Sequence, residues 1–433
     1  VKTRNRGYKT ELKVNKSQKQ LLEQHCGSTR FTYDWGLNLK IKDYSEIKIL
    51  KEKIASVSGK ERGELEKELK AREKLNAISL HRKINSLKKV CYPWMYQVSK
   101  CAPQEALRDL DKAYQSFFRR AKSKVEAPGF PKFKSKHDSK KSFRLTGTIK
   151  VLSNGYIQLP RLGVLKLKEK GYFPEGGIKI LSASVSSRAG RWFVAIQVEE
   201  EILFLPKFGI SSEVIGIDLG IKELAVASNS MRFENPKALK SNLESLKRLS
   251  KKHSRKKKNS NSKKKSASKL AKLHYKISNI RKDSIHKMTT TLAKAKPRSL
   301  VIEDLAVKNM IKNRRLSRCL ADTSFGEIRR QFEYKSKWFV VDLMVVDRWF
   351  PSSKTCSSCG NKKDKLKLSE RVYNCTECGL SLCRDLNASY NLRNYYLDHC
   401  DPTSSSGGSN ACGDEAMASS MKQEIESRLS CTA

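Results

Sequence analysis

Two Cys-x-x-Cys knuckles, Cys356-Ser-Ser-Cys359 and Cys375-Thr-Glu-Cys378, stand fifteen residues apart, and Gly360 and Gly379 each follow the second cysteine of a pair. That spacing lets four thiolates close a tetrahedron around one Zn²⁺, with each glycine relieving the tight turn its knuckle demands. Sulfur at every position leaves no opening for water, so such a metal holds structure and does no chemistry. A second donor set is made of oxygen. Val214-Ile-Gly-Ile-Asp218-Leu-Gly220 and Ser299-Leu-Val-Ile-Glu303-Asp304 are apolar, strand-like runs that end in acid, and Arg384-Asp385-Leu-Asn387-Ala-Ser-Tyr-Asn391 is an amphipathic helical segment opening on acid. Taken singly, each has an ordinary reading: an acid closing a strand is more often a surface turn, and Asp385 suits an N-cap. Taken together in a very basic chain, Asp218, Glu303 and Asp385 fit a two-metal phosphodiesterase. Mg²⁺ is hard and prefers carboxylate and water, and two such ions roughly 3.5–4 Å apart activate the attacking water and stabilise the leaving oxygen. Asp304 points to the opposite strand face and reads as structural.

Composition identifies the partner. Lys and Arg number 89 against 44 Asp and Glu over 433 residues, a formal net charge of +45. A compact chain so charged repels itself unless a polyanion neutralises it, and nucleic acid is the expected ligand. A membrane surface is the weaker candidate, because no long uninterrupted apolar run or basic amphipathic helix is evident. Charge alone would also suit a general nucleic-acid scaffold protein, which leaves the acids and the intervening clip unexplained. The N-terminus shows no apolar signal region, so the twelve cysteines are expected to be reduced, in the cytoplasm, with four of them on zinc.

Those donors must be positioned by regular elements. Residues 8 to 14 alternate as a strand, and Asn15 or Ser17 can cap a helix running towards Trp35. The charged stretch from about 40 to 90 reads as solvent-facing or RNA-facing helix rather than core. From Gln104 to Lys122, Ala106, Leu107, Leu110, Ala113, Tyr114, Phe117 and Phe118 recur at helical spacing, which predicts a buried stripe. Pro128 breaks that helix. Short alternating runs follow at Ile149, Tyr156, Val164 and Trp192 to Val198, with turns between them, and predict a small antiparallel barrel. The Lys-rich run from Lys251 to Lys265 is expected as a helix lying along a phosphate backbone. Beyond His399 the Ser, Gly and acidic composition predicts a disordered tail.

With these residues assembled, the chain resembles the TnpB family of transposon-encoded, RNA-guided DNA nucleases, relatives of the type V CRISPR effectors. The resemblance runs from about residue 8 to residue 396 and is carried by several motifs: Ala106 to Phe118, Phe130-Pro-Lys-Phe-Lys-Ser-Lys136, Gly216-Ile-Asp-Leu-Gly220, Ile302-Glu-Asp-Leu305, Glu333-Tyr-Lys335, Phe350 to Gly360 and Arg384-Asp-Leu-Asn-Ala388. It implies a multidomain α+β protein. An RNase H-like (RuvC) nuclease domain occupies 213–353 and 380–398, with Asp218, Glu303 and Asp385 as its catalytic acids and a zinc-ribbon insertion at 354–379. A wedge β-barrel domain covers 1–18 and 122–212, a helical recognition domain 19–121, and the tail 399–433. The implied partners are a guide RNA made from the transposon end and target double-stranded DNA, with the protein reading only a short flanking motif and working as a monomer within the ribonucleoprotein. The family usually has an acid two positions before its third catalytic acid, where this chain has Cys383, so a charge or hydrogen bond is missing there. Cys383 is expected as a small buried thiol rather than a fifth zinc ligand. A compact type V CRISPR effector, a guide-directed DNA-binding protein without cleavage and a strand-transferring transposase are the alternatives.

Overall fold

The structure is a computed structural model that describes residues 2–72, 74–123, 129–136, 141–173, 178–202, 211–367 and 369–400, and its contacts divide the chain into two units, Val1–Leu203 and Phe204–Ala433. Pro128 and the tail from residue 401 onward lie outside the described residues.

In the first unit, β1 (Lys2–Lys13) leads into α1 (Lys16–Ser56), followed by α2 (Gly59–Ala71), α3 (Ala77–Lys88) and α4 (Cys101–Lys122). Six strands complete it: β2 (Lys141–Leu145), β3 (Lys150–Leu152), β4 (Tyr156–Leu159), β5 (Gly163–Leu167), β6 (Lys179–Arg188) and β7 (Arg191–Ile202). Asn15 starts α1 with a capping box: its side chain accepts from the Gln18 amide at 2.8 Å, and the Gln18 side chain accepts from the Asn15 amide at 3.1 Å. The strands form one antiparallel sheet in the order β2-β6-β7-β1-β5-β4-β3. Period-two alternation turns Trp192, Val194, Ile196 and Val198 of β7 inward, where they meet Phe143, Ile157, Leu165 and Val185 from four other strands. All these strands share one core, so the sheet curls around it. Leu22, Cys26, Cys101 and Ala102 of α1 and α4 pack into the same cluster.

Two expectations for this unit change. The charged 40–90 stretch is not solely surface: Leu50, Leu80 and Ile84 are buried, and the last two join Leu37, Leu107 and Leu110 in a core between α1, α3 and α4. The stripe on α4 is buried only as far as Tyr114, since Phe118 is 47 % exposed and Phe117, half-buried, meets Phe130 edge-on at 5.2 Å.

The second unit comprises β8 (Val214–Asp218), β9 (Glu223–Ala227), β10 (Arg232–Glu234), α5 (Ala238–Ser254), α6 (Asn261–Lys294), β11 (Ser299–Glu303), α7 (Val307–Met310), α8 (Ser317–Thr323), α9 (Phe325–Phe339), β12 (Asp342–Val346), β13 (Val372–Asn374), β14 (Ser381–Cys383) and α10 (Arg384–Cys400). Its sheet runs β10-β9-β8-β11-β12, with β8, β11 and β12 parallel and β9 and β10 antiparallel. The unbroken apolar runs of β8 and β11 suit strands covered on both faces. Ile285, Met288 and Leu292 of α6 and Phe325, Ile328 and Phe332 of α9 cover one face, while Leu392 and Tyr396 of α10 cover the other through Val214, Val301 and Val346.

Polar anchors lie inside this packing. Lys335 of α9 is buried and donates to His286 O (3.0 Å), Thr289 Oγ1 (2.6 Å) and Thr290 Oγ1 (2.8 Å) of α6, and burial lowers its pKa to about 8. Asp322 accepts from the Leu239 amide at the start of α5 and from Arg281 of α6 at 2.6 Å. The basic run from Lys251 to Lys265 is a correction: it spans two packed helices, broken around Asn259 at φ 64°, and no residue of α6 before Ile277 is buried. No helix among the described residues is long and apolar enough to cross a membrane.

Candidate active site and metal clip

Asp218 is the last residue of β8 and Glu303 the last of β11; these strands are parallel neighbours with Ile217 opposite Ile302, so both carboxylates leave the same edge of the sheet. Asp385 reaches that edge from another element, in the first turn of α10. Gly216 makes the approach possible. A Cβ on it would lie 2.0 Å from Ser389 O and 2.5 Å from the Arg393 amide, so the α10 backbone rests directly on β8. Two strand residues from Gly216 to Asp218 span ~6.6 Å, and four helix residues from Ser389 back to Asp385 span ~6 Å, which brings the two acids level. Asp385 lies within the helix, after Arg384, rather than at the N-cap.

The electrostatics record this convergence. Asp218 is pushed up to about 7, first by burial and then by the like charges of Asp385 and Glu303, with Arg384 opposing. Burial, followed by the charge of Asp304, raises Glu303. Asp304 itself, despite some desolvation, is held below the ordinary carboxylate range by hydrogen bonds from Arg348 and Arg329. Arg384 Nε stands 3.7 Å from Asp385 Oδ1 while its Nη1 donates to Glu370 O at 3.2 Å.

The four cysteines meet more tightly. Their sulfurs all lie within 4.8 Å of one another, with Cys356 to Cys378 and Cys359 to Cys375 each 3.6 Å apart, and the cluster could hold a metal ion. Among the described residues the three acids form no comparably tight group. The Cys356 amide donates to Asn361 O and the Cys375 amide to Leu380 O, closing the two knuckles, and Gly360 (φ 76°) and Gly379 (φ 71°) take the left-handed turns. Four thiols this close cannot all ionise unaided. Backbone N–H groups of Cys378 and Glu377 draw Cys375 below the ordinary thiol range against desolvation; Cys359, although the Asn361 N–H favours its thiolate, is pushed above that range by desolvation and the neighbouring thiols. Tyr373, fully buried on β13, donates to Lys354 O and Asn361 O and props the first knuckle. β14 pairs with β13 as far as Cys383, so the hairpin extends past the expected boundary at 379 and runs straight into α10.

Cys383 is half-buried, stands outside the four-sulfur cluster and lies beside Arg232, which pairs with Glu223 at 3.2 Å. Three contributors escaped the sequence reading. Arg384 and the contact role of Gly216 show only in three dimensions, whereas Asn394 could have been found, since it continues the face of Asn387 and Asn391 at helical spacing.

Three family models match the chain: one described as a probable transposase over residues 194–314, one as a Cas12f1-like TNB domain over 325–392, and one as a helix-turn-helix domain over 4–48. The last covers β1 and an uninterrupted stretch of α1, with no turn between two helices. A protein of Streptomyces pristinaespiralis named "Putative RNA-guided DNA endonuclease" is 34% identical over 300 residues, 69% of this chain and 72% of that one. InsQ of Escherichia coli K12, named in the same terms, is 30% identical over 315 residues, covering 69% and 75% of the two chains. Among solved structures, a Cas12f1-sgRNA-target DNA complex aligns with 14% identity and a TM-score of 0.49 over 90% of this chain and 99% of that chain.

Proposed function

Because the chain belongs to the TnpB family of transposon-encoded, RNA-guided DNA endonucleases, we propose that it binds a guide RNA made from the transposon end and cleaves complementary double-stranded DNA beside a short flanking motif. The observation that carries this reading is the edge where Asp218, Glu303 and Asp385 converge, with Asp218 driven up to about 7 inside a chain of net charge +45. Carboxylates forced together in a basic protein are held for a cation. The donor set is all oxygen and suits Mg²⁺. Two such ions, held by these three residues, would lower the pKa of a bound water and draw charge from the leaving oxygen.

The chain's own groups supply the rest. Gly216 sets how closely α10 approaches β8, and Arg384 balances part of the negative charge. Arg329 and Arg348 hold Asp304 away from the work of Glu303. The clip suits one Zn²⁺ as a closed structural site. The sheet of the second unit, with α6 and α9 on one face and α10 on the other, serves as the RNase H-like domain (213–353 and 384–398) around a zinc ribbon that runs from 354 to the end of β14 at 383. The curled sheet of the first unit serves as the wedge barrel (1–18 and 122–212), and its helices (19–121) as the recognition domain. The ribonucleoprotein works with one copy of the chain, in a bacterial or archaeal cytoplasm.

The test uses the purified protein–RNA complex with Mg²⁺ and a supercoiled plasmid library carrying the guide match and a randomised flank. Linear product enriched for one flank is expected, and Asp218→Ala, Glu303→Ala or Asp385→Ala should each lower cleavage by roughly 10³-fold or more while guide and target binding persist. A variant cutting at the wild-type rate removes that residue from the site. Joined DNA ends without guide dependence would instead support the transposase alternative.

A further inference from the structure

α10 carries Asp385 in its first turn and Asn387, Asn391 and Asn394 along one face, at i, i+4 and i+7. All three amides are committed to the segment that presents the first knuckle. Asn387 Nδ2 donates to Thr355 O at 2.7 Å while its Oδ1 accepts from the Ser357 amide at 3.0 Å. Asn391 Nδ2 donates to Ser352 O and to Thr355 O, both at 2.7 Å, and Asn394 Nδ2 donates to Ser357 O at 3.2 Å. Asn387 and Asn391 are buried. Asparagine is a poor helix former and costly to bury unless bonded, so packing alone gives no reason for this face. What it provides is a set of bonds from the helix that bears the third acid to the loop on either side of Cys356. The other side of the same helix is seated on β8 at Gly216, two residues from Asp218. Axial slippage and rotation of α10 are therefore fixed by the sheet on one side and the cysteine knuckle on the other.

We propose that Asn387, Asn391 and Asn394 are positioning residues that transmit the fold of the first knuckle to α10, and so set where Asp385 stands relative to Asp218 and Glu303. The clip would then tune the carboxylate edge without touching substrate. This rests on the reading of Asp385 as a ligand of the catalytic cation. Groups that orient metal ligands typically change affinity or rate by about 10–100-fold when removed.

The test measures Mn²⁺ affinity by electron paramagnetic resonance on the guide-bound protein, alongside zinc content and the Mg²⁺ concentration for half-maximal cleavage. For Asn391→Ala the expected result is one zinc per chain, unchanged guide affinity, and Mn²⁺ affinity and Mg²⁺ half-saturation both weakened about tenfold. Asn394→Ala, losing one longer bond to the knuckle together with the local bonds its Oδ1 accepts from Arg393, should show the same pattern at about threefold, and it decides the matter alone if Asn391→Ala does not fold. Wild-type Mn²⁺ affinity in the folded variants, with Asp385→Ala weakened as expected, overturns the positioning role and leaves the site reading intact. Wild-type Mn²⁺ affinity in Asp385→Ala overturns the site reading, and the positioning role with it.

Discussion

The cysteine clip draws its four ligand atoms from residues 356 to 378, and they already lie within 4.8 Å of one another. The carboxylate edge, proposed as the catalytic cation site, would draw its donors from positions 218, 303 and 385, on two strands and a helix, and their convergence adds like charge to the burial that pushes Asp218 up. The first arrangement is local, closed and complete. The second depends on a whole sheet with a helix laid across it, and it holds like charges together that would separate if free. A cation that only holds structure can be served by a short hairpin, whereas one that must meet a scissile ester needs donors arriving from several directions and a site kept unsatisfied until it is occupied.

The largest effect should come from breaking the clip. Cys375→Ala, or chelation of the wild-type protein, is expected to lower zinc content and folded yield together, because ribbon folding and metal binding are one equilibrium worth on the order of 10 kcal/mol in isolated zinc modules. Full zinc loss with an unchanged melting temperature would remove the structural role of the metal.

Gly216→Ala should be intermediate and should strike the carboxylate edge alone. Its new methyl meets backbone atoms of Ser389 and Arg393 rather than a yielding side chain, so α10 must move away from β8. Overpacking of this kind costs about 1–3 kcal/mol. Cleavage should fall further than that loss of stability explains, with zinc content unchanged. Wild-type cleavage in this variant would show that the seating of α10 does not matter to the edge.

The smallest effect sharpens the electrostatic half of the contrast. The Asp218 carboxyl sits near 7 in the folded chain against ~3.9 when unfolded. The folded state therefore binds more protons between those values, and stability declines as pH rises from about 4 to about 7. Asp218→Asn removes that decline. Without divalent cations the variant should melt roughly 3 °C above wild type at pH 8 and level with it at pH 4, a difference that differential scanning calorimetry resolves. A variant less stable than wild type at pH 8 would contradict the cost of holding Asp218 ionised, to which burial contributes first and the neighbouring acids second.

What was legible in the sequence follows the same division. The knuckles could be read because a metal clip is written in local spacing and glycine placement, and the strand ends at Asp218 and Glu303 because buried parallel strands are unbroken apolar runs. Less legible was anything decided by a distant neighbour. Leu80 and Ile84 look isolated in a charged stretch, yet they become core because α1 and α4 supply the rest of the cluster. Gly216 reads as one more small residue in a strand until Ser389 and Arg393 are seen against it. The helical spacing of Asn387 and Asn391 was visible, but their commitment to the knuckle carbonyls was not, since hydrogen bonds spanning more than thirty residues leave no local periodicity.

The most direct measurement is anomalous diffraction from crystals of the guide-bound protein grown with Mn²⁺ in place of Mg²⁺. Manganese peaks bounded by the carboxylates of Asp218, Glu303 and Asp385, and absent from crystals of Asp218→Ala, are the expected result. Manganese bound elsewhere, with those three carboxylates empty, would contradict the account.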